Sequence, residues 1–207
     1  MLAPYNATWP AAFQRESATI SGALSGMPIT LHHIGSTSIP GIVAKPVIDI
    51  LGVVPAIGDI DAHQHQLAAV GYEGLGEFGI SGRRYFRKTA PDGARTHHLH
   101  VFAAGSAAID RHLDFRDYLR AFPAEAAGYA ELKQKLAAQY TGEDYSEGKT
   151  DFIRAIEQRA AAWREGLVRG PAEVQMPQRR RVLLLVLFWV LVISVPVLML
   201  WLSNGSQ

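Results

Sequence analysis

The chain of 207 residues contains no cysteine. This absence excludes disulfide bonds, a thiolate nucleophile, iron–sulfur clusters and cysteine zinc sites, so that any metal ion must be held by aspartate, glutamate or histidine. An excess of charge of one sign is also missing, since 20 Lys and Arg stand against 19 Asp and Glu. A broad nucleic-acid-binding surface is therefore not expected, because such a surface requires clustered positive charge. A small anionic ligand bound by a few basic groups remains open.

Long apolar runs are missing from most of the chain, and the exception is the segment 182–202. Nineteen of its 21 residues are apolar and none is charged. A helix of this length rises about 31 Å, which matches a hydrocarbon core of about 30 Å. Three arginines, 179–181, precede the segment, and the positive-inside rule then places the preceding domain in the cytoplasm. The sequence thus predicts a domain at 1–166, a linker at 167–181 with a basic end, and a single C-terminal transmembrane helix that localises the protein to the membrane.

The pattern of apolar residues predicts a mixed α/β fold for the first domain. Apolar residues from Trp9 to Leu24 recur at helical spacing after Thr8, a candidate N-cap. The nearly continuous apolar run Val47–Val54 is typical of a buried strand. Further strands are predicted at 29–34, 72–77, 83–89 and 97–103, and further helices at 58–70 and in three segments between 109 and 163. This order indicates an α+β mixed sheet with a helical C-terminal region.

A turn rich in hydroxyl groups follows the first predicted strand, with the sequence Gly35-Ser36-Thr37-Ser38. Its backbone N–H groups and hydroxyls are suited to bind phosphate oxygens, and glycine lets a ligand approach closely. Asp49 lies inside the next, apolar strand, where a carboxylate needs a cation or hydrogen-bond donors. Asp49 is a candidate ligand of Mg²⁺, and Lys45 could pair with the phosphate that the turn binds. The alternative is an ordinary turn with Asp49 in a structural ion pair.

Two histidines of the last predicted strand form a second candidate group. His98 and His100 lie on one face of a strand about 7 Å apart, and His97 lies on the other face. If this strand neighbours Asp49, two imidazoles and one carboxylate converge, a set that favours Zn²⁺, Mn²⁺ or Fe²⁺ over Mg²⁺. One imidazole could instead act as a general base. The alternative is that both histidines are structural.

Aromatic and basic residues alternate in the predicted hairpin that precedes the histidines. Tyr85 and Arg87 share one face of their strand, so that Tyr85 could stack on a base while Arg87 binds a phosphate. A hairpin whose basic residues are merely solvated is the alternative.

The sequence resembles the GrpB family, which is related to the nucleotidyltransferase superfamily. The resemblance covers about residues 3–165 and is carried by these blocks in order: 33–50, 85–88, 97–101, 115–120, 129–133 and 149–153. It implies a nucleotidyltransferase-like fold in which the turn of Gly35 and Ser36 grips a nucleoside triphosphate and Asp49 supplies the first metal-binding carboxylate. The chain departs from the superfamily pattern at Leu51, where a second carboxylate is expected, so that a site for two Mg²⁺ ions is incomplete.

Three functions follow from these features. The first is transfer of a nucleotidyl or phosphoryl group to an unknown small molecule or protein, with a nucleoside triphosphate as substrate and a divalent metal at Asp49, His98 and His100. The metal is Mg²⁺ or Mn²⁺, with Zn²⁺ as the alternative. The second is a nucleotide- or anion-binding module at the membrane without catalysis, which Leu51 favours. The third is a metal-dependent hydrolase built on the same Asp and His residues.

Overall fold

Five strands form one mixed sheet in the computed structural model, which describes residues 1–140 and 148–166. The strands are β1 (Thr30–Ile34), β2 (Ile48–Val54), β3 (Tyr72–Gly74), β4 (Arg84–Thr89) and β5 (Arg95–Ala103). Their order across the sheet is β1-β2-β5-β4-β3. The central strands β2 and β5 are parallel, and the other neighbours are antiparallel. The predicted mixed α/β sheet is therefore confirmed.

Helices flank the sheet in the order that the apolar pattern predicts. They are α1 (Trp9–Ala23), α2 (Ile57–Ala62), α3 (Gln64–Ala69), α4 (Ala107–Ala121), α5 (Pro123–Gln139) and α6 (Thr150–Arg164). The predicted helix at 58–70 is divided between α2 and α3. The ring Nδ1 of His63 lies 2.7 Å from the carbonyl oxygen of Asp59, which a continuous helix would use for the His63 amide.

Strand alternation assigns the two faces of the sheet to different partners. Ile48 and Ile50 of β2 face the main hydrophobic core, which contains side chains from α1, α2 and α3. Asp49 and Leu51 face the other side, because successive side chains point to opposite faces. On that side, Leu51 packs with Ile34 and Phe102 against side chains of α4.

A second cluster joins the three C-terminal helices to the loop after β1. Its buried members include Ile39 and Ile42 from the loop, Tyr118 from α4, Tyr129 from α5 and Ile156 from α6. Burial of a large apolar side chain stabilises a fold by about 1.5–3 kcal/mol. This packing therefore holds α5 and the start of α6 beside the end of the sheet that carries Asp49.

Thr8 occupies the predicted N-cap position of α1 but makes no side-chain capping bond. Its hydroxyl donates a hydrogen bond of 2.8 Å to Oδ1 of Asn6. Helix α1 still begins at Trp9, with Pro10 in its first turn, where the fixed proline backbone is compatible with a helix start.

The structure does not support the transmembrane helix and the membrane localisation that were expected from 182–202. Within 1–140 and 148–166, no helix has the length and apolar character needed to cross a membrane. The longest of these helices, α5, has 17 residues and rises about 26 Å, and four of its side chains are charged. The segment 182–202 itself lies outside the described residues, as does the predicted linker at 167–181. The predicted membrane anchor and the cytoplasmic placement derived from it are therefore not supported.

Candidate functional site

The turn after β1 and the strand β2 meet at Gly35 and Asp49. The pairing of β1 with β2 sets Ile34 opposite Asp49, so that the next residue of the turn lies against the carboxylate. Gly35 has a φ of 67°, and a Cβ atom placed on it would lie 2.3 Å from Oδ2 of Asp49. Glycine is therefore required here for its positive φ and for the close approach of backbone to carboxylate.

The parallel pairing of β2 with β5 brings both candidate histidines to Asp49. Asp49 is opposite His98 in the register, and Oδ1 of Asp49 lies 3.0 Å from Nδ1 of His98 and 3.8 Å from Nε2 of His100. One ligand atom from each of the three residues falls within 4.8 Å of the others. His97 faces the opposite side, with Nε2 3.8 Å from Oε2 of Glu16. The structure thus brings together the three residues predicted to bind a metal.

Asp49 remains ionised in this setting. Burial by itself would raise the pKa of its carboxyl, but hydrogen bonds from His100 and His98 and their positive charge when protonated hold the pKa below its usual range. About 29% of the surface of the Asp49 side chain is exposed, so that a ligand can reach it from solvent. An ionised, reachable carboxylate beside two imidazoles is a suitable donor set for a divalent cation.

A cavity of about 200 Å³ opens beside Asp49, and its charged lining is dominated by lysines. Its lining residues are Ser36, Thr37, Lys45, Val47, Asp49, His98, Lys133 and Lys149. The lysines come from three separate parts of the chain: the loop before β2, the middle of α5 and the residue before α6. Three ammonium groups with two hydroxyls on one cavity are suited to bind several phosphate oxygens. We call this cavity the lysine cavity.

Lys133 is the most deeply buried of the three lysines, with 2% of its surface exposed. Its ammonium donates a hydrogen bond to the carbonyl oxygen of Val43 and lies 4.6 Å from the centre of the Tyr129 ring. Burial, followed by the charge of Lys149, lowers the pKa of Lys133 from 10.5 to about 7. The pKa of Lys149 is also lowered, by burial and then by the charge of Lys45. Crowded cations of this kind favour an anion in the cavity.

The hydroxyls of the turn divide between the cavity and the turn itself. Ser36 and Thr37 line the lysine cavity. Thr37 also contacts Nε2 of His33 at 3.0 Å and donates to the carbonyl oxygen of Val47 at 3.3 Å. Ser38 donates to the carbonyl oxygen of Gly35 at 2.6 Å and therefore stabilises the turn. Ser36 is thus the hydroxyl of the predicted set best placed to contact a ligand.

Tyr85 and Arg87 share the site face of β4 but have different neighbours. The ring of Tyr85 lies 5.5 Å from the ring of His98 and 5.2 Å from that of His100. Arg87 instead pairs with Glu73, with 2.6 Å between Nε and Oε2. Neither residue is among those that line the lysine cavity. Tyr85 therefore packs against the histidines, whereas the guanidinium of Arg87 is directed to the edge of the sheet.

Leu51 occupies the position at which the superfamily pattern expects a second carboxylate. It is fully buried and packs with Ile34 and Phe102. In the pairing of β2 with β5, Leu51 lies opposite His100. The polar group that this pair of residues offers beside Asp49 is therefore the imidazole of His100 and not a second carboxylate. The residues present fit one cation with mixed nitrogen and oxygen ligands and do not fit the two-metal arrangement.

Sequence reasoning missed Lys133 as a candidate site residue. Lys133 follows Tyr129 by four residues, and both lie on the buried face of α5. A lysine on an otherwise apolar helical face is the signal that could have found it, because a buried lysine requires a partner. The structure also places Lys149, just before α6, in the lining of the lysine cavity.

The fold and the site define the class of this protein: a mixed α/β protein with an aspartate–histidine cluster beside a lysine-lined cavity. The family model of the GrpB protein matches residues 1–159, and the chain belongs to this family. The crystal structure of the conserved protein GrpB from Enterococcus faecalis is 40% identical with a TM-score of 0.72, covering 77% of this chain and 96% of that chain.

Named relatives support the same assignment. UPF0157 protein YqkA of Bacillus subtilis is 44% identical over 164 residues, which cover 78% of this chain and 47% of YqkA, so that the chain spans about half of that relative. The glutamate-rich protein GrpB of Alkalihalophilus pseudofirmus is 31% identical over 161 residues, which cover 75% of this chain and 92% of that protein. The Cid1 poly(U) polymerase bound to MgATP is a more distant structural match, with a TM-score of 0.40 and 14% identity, covering 63% of this chain and 45% of that chain.

Proposed function

We propose that this protein binds a nucleoside triphosphate together with one divalent cation and transfers a nucleotidyl or phosphoryl group to a small-molecule or protein acceptor. The observation that carries the proposal is the position of Asp49 and His98 on the wall of a cavity that three lysines also line, with His100 3.8 Å from the Asp49 carboxylate. The relation of the GrpB family to nucleotidyltransferases supports the reaction class. The lysine cavity supports the anionic substrate independently of that relation.

The cation would be held by Asp49 together with one or both of His98 and His100. Their two imidazoles and one carboxylate suit Mn²⁺ or Zn²⁺, whereas Mg²⁺ prefers an oxygen-rich shell and would draw the rest of its ligands from phosphate oxygens and water. A bound cation would supply charge neutralisation and polarisation of a phosphoryl oxygen. Gly35 leaves the space that the carboxylate of Asp49 needs, since a Cβ atom would meet Oδ2.

The side chains of the lysine cavity would bind and orient the phosphates. Lys45, Lys133 and Lys149 line the cavity and offer positive charge, and Ser36 offers a hydroxyl. In a nucleotidyl transfer, an acceptor oxygen would form a bond to the α-phosphorus, the bond to the bridging oxygen would break, and pyrophosphate would leave toward the lysines. The proton of the acceptor hydroxyl would pass to His98 or His100, whichever is not a metal ligand.

Two other functions have specific support. A nucleotide- or anion-binding module without catalysis is favoured by Leu51, because its burial leaves the site with one carboxylate. A metal-dependent hydrolase is favoured by the aspartate–histidine donor set, which resembles the ligands of Zn²⁺ hydrolases. Both predict a bound cation, and they differ from transfer in the products.

The test compares the wild-type protein with Asp49→Asn, using Asp59→Asn as a matched control at the partly exposed start of α2. Each protein is incubated with each nucleoside triphosphate and Mg²⁺, Mn²⁺ or Zn²⁺, and pyrophosphate, inorganic phosphate and nucleotide binding are measured. Release of pyrophosphate that is lost in Asp49→Asn supports transfer. Saturable binding without products supports the binding module, and release of phosphate alone supports hydrolysis. Absence of nucleotide binding under all conditions would refute the proposal.

A further inference from the structure

A second cavity, of about 300 Å³, lies on the other side of Asp49. Gly35, Asp49 and His100 form its boundary with the candidate metal site, and Phe115 and Tyr129 are among its apolar walls. The two rings meet edge to face with centroids 5.7 Å apart. We call it the aromatic cavity. Its lining differs sharply from that of the lysine cavity, because aromatic and aliphatic side chains replace the lysines.

The two cavities meet at the turn and at Asp49. Asp49 lines both of them, and the adjacent residues Gly35 and Ser36 line one each. A ligand whose charged end occupies the lysine cavity can therefore extend past the candidate metal site into the aromatic cavity. Such a ligand has an anionic end, a cation-binding middle and a planar or apolar end.

Polar groups at the far side of the aromatic cavity could recognise that end. Nη1 of Arg111 lies 3.7 Å from Oε1 of Glu157, and both residues line the cavity. Nε2 of His112, also in the lining, is buried and has no hydrogen-bond partner among residues 1–140 and 148–166. A buried ring nitrogen without a partner is costly, and a hydrogen bond from a ligand would relieve that cost.

We propose that the nucleoside half of the substrate binds in the aromatic cavity, against Phe115 and Ile153, while its phosphates bind in the lysine cavity. This inference rests on the proposed function and deepens it by assigning the second half of the ligand. A nucleoside base offers a flat face for Phe115 and hydrogen-bonding edges for His112, Arg111 and Glu157. Asp49 lines both cavities and the neighbouring residues Gly35 and Ser36 line one each, which favours one ligand spanning both over two separate ligands.

The test uses two probes, inorganic tripolyphosphate and ATP, each with Mn²⁺ and the full chain, and measures binding by calorimetry. Ile153→Trp fills the aromatic cavity, and Phe115→Leu removes the aromatic face while keeping an apolar side chain. Phe122→Leu is the matched control, since Phe122 packs in the same helical cluster and lines neither cavity. Circular dichroism and thermal melting establish that each variant is folded.

The wild-type protein is expected to bind ATP more tightly than tripolyphosphate. Phe115→Leu should weaken ATP binding about fivefold, because stacking on a base contributes substantially to affinity. Ile153→Trp should weaken ATP binding about tenfold or more, because the larger side chain fills the cavity. Tripolyphosphate affinity should stay within about twofold in both variants, and Phe122→Leu should change neither.

Each other outcome overturns the inference at an identifiable step. If the wild type binds tripolyphosphate but Ile153→Trp leaves ATP affinity unchanged, the nucleoside is not in the aromatic cavity, and the lysine cavity stands. If Ile153→Trp lowers only the rate of transfer to an acceptor, the cavity holds the acceptor. If the wild type binds neither probe, the proposed function fails and the inference fails with it.

Discussion

Replacement of Lys133 by methionine is expected to stabilise the fold and to weaken anion binding. Methionine has a similar length and no charge, so that the change removes the cost of burying an ammonium group. The pKa of Lys133 is lowered from 10.5 to about 7. Because the unfolded chain binds this proton more tightly than the folded one, the buried lysine lowers the free energy of unfolding at pH 7 by a value on the order of 4 kcal/mol.

Methionine also removes favourable contacts of the lysine. The hydrogen bond to the carbonyl oxygen of Val43 and the contact with the ring of Tyr129 are lost, at a combined cost on the order of 2 kcal/mol. The net expectation is a gain of about 2 kcal/mol at pH 7. Urea denaturation followed by circular dichroism measures this difference, and Lys135→Met, on the exposed face of the same helix, is the control.

The dependence on pH tests the origin of the effect. Between about pH 7 and 10.5 the unfolded chain holds the proton that folded Lys133 has released, so that the unfolded state binds more protons. The free energy of unfolding of the wild type should therefore rise with pH in this range, and the advantage of Lys133→Met should shrink. A variant that is less stable than wild type at pH 7, with a difference that does not change up to pH 10, would refute the reasoning.

Three further changes probe the turn, the sheet and its edge. Gly35→Ala should weaken Mn²⁺ binding at least about tenfold and cost about 2 kcal/mol of stability, because its Cβ would displace the Asp49 carboxylate; unchanged Mn²⁺ titration would contradict this. Leu51→Asp should cost at least about 3 kcal/mol, since the carboxylate would be buried among the apolar side chains of Ile34 and Phe102; a thermal midpoint equal to wild type would argue against it. Arg87→Gln breaks an exposed pair with Glu73 and should leave tripolyphosphate affinity within about twofold. A tenfold loss of affinity would indicate that Arg87 contacts the phosphates.

The strands were predictable because burial leaves a direct mark on the sequence. The apolar run Val47–Val54 contains one charge, and the structure confirms that the strand is buried on its core face while Asp49 points to the other side. Alternation likewise placed His98 and His100 together and His97 apart. The pairing of β2 with β5 was not predictable, because a register depends on contacts between residues about 50 positions apart.

Local competition explains the details that sequence reasoning got wrong. Thr8 has the residue type of an N-cap, but its hydroxyl donates a hydrogen bond to the side chain of Asn6, two positions earlier. The interruption at His63 arises from a side-chain bond to the carbonyl of Asp59, which apolar spacing does not report. Short polar side chains have several backbone and side-chain partners within reach, so that residue type alone does not decide among them.

The lysine cavity shows why the site extends beyond any local motif. Lys45, Lys133 and Lys149 are separated by 88 and 16 residues, and their convergence depends on the packing of α5 and α6 against the loop after β1. Within α5, however, Lys133 lies on a face that also buries Tyr129, where an aliphatic side chain would satisfy packing alone. A lysine that costs stability at such a position requires a compensating role, and the cavity beside Asp49 supplies one. The stability gain and affinity loss expected for Lys133→Met therefore test the same physical claim from opposite directions.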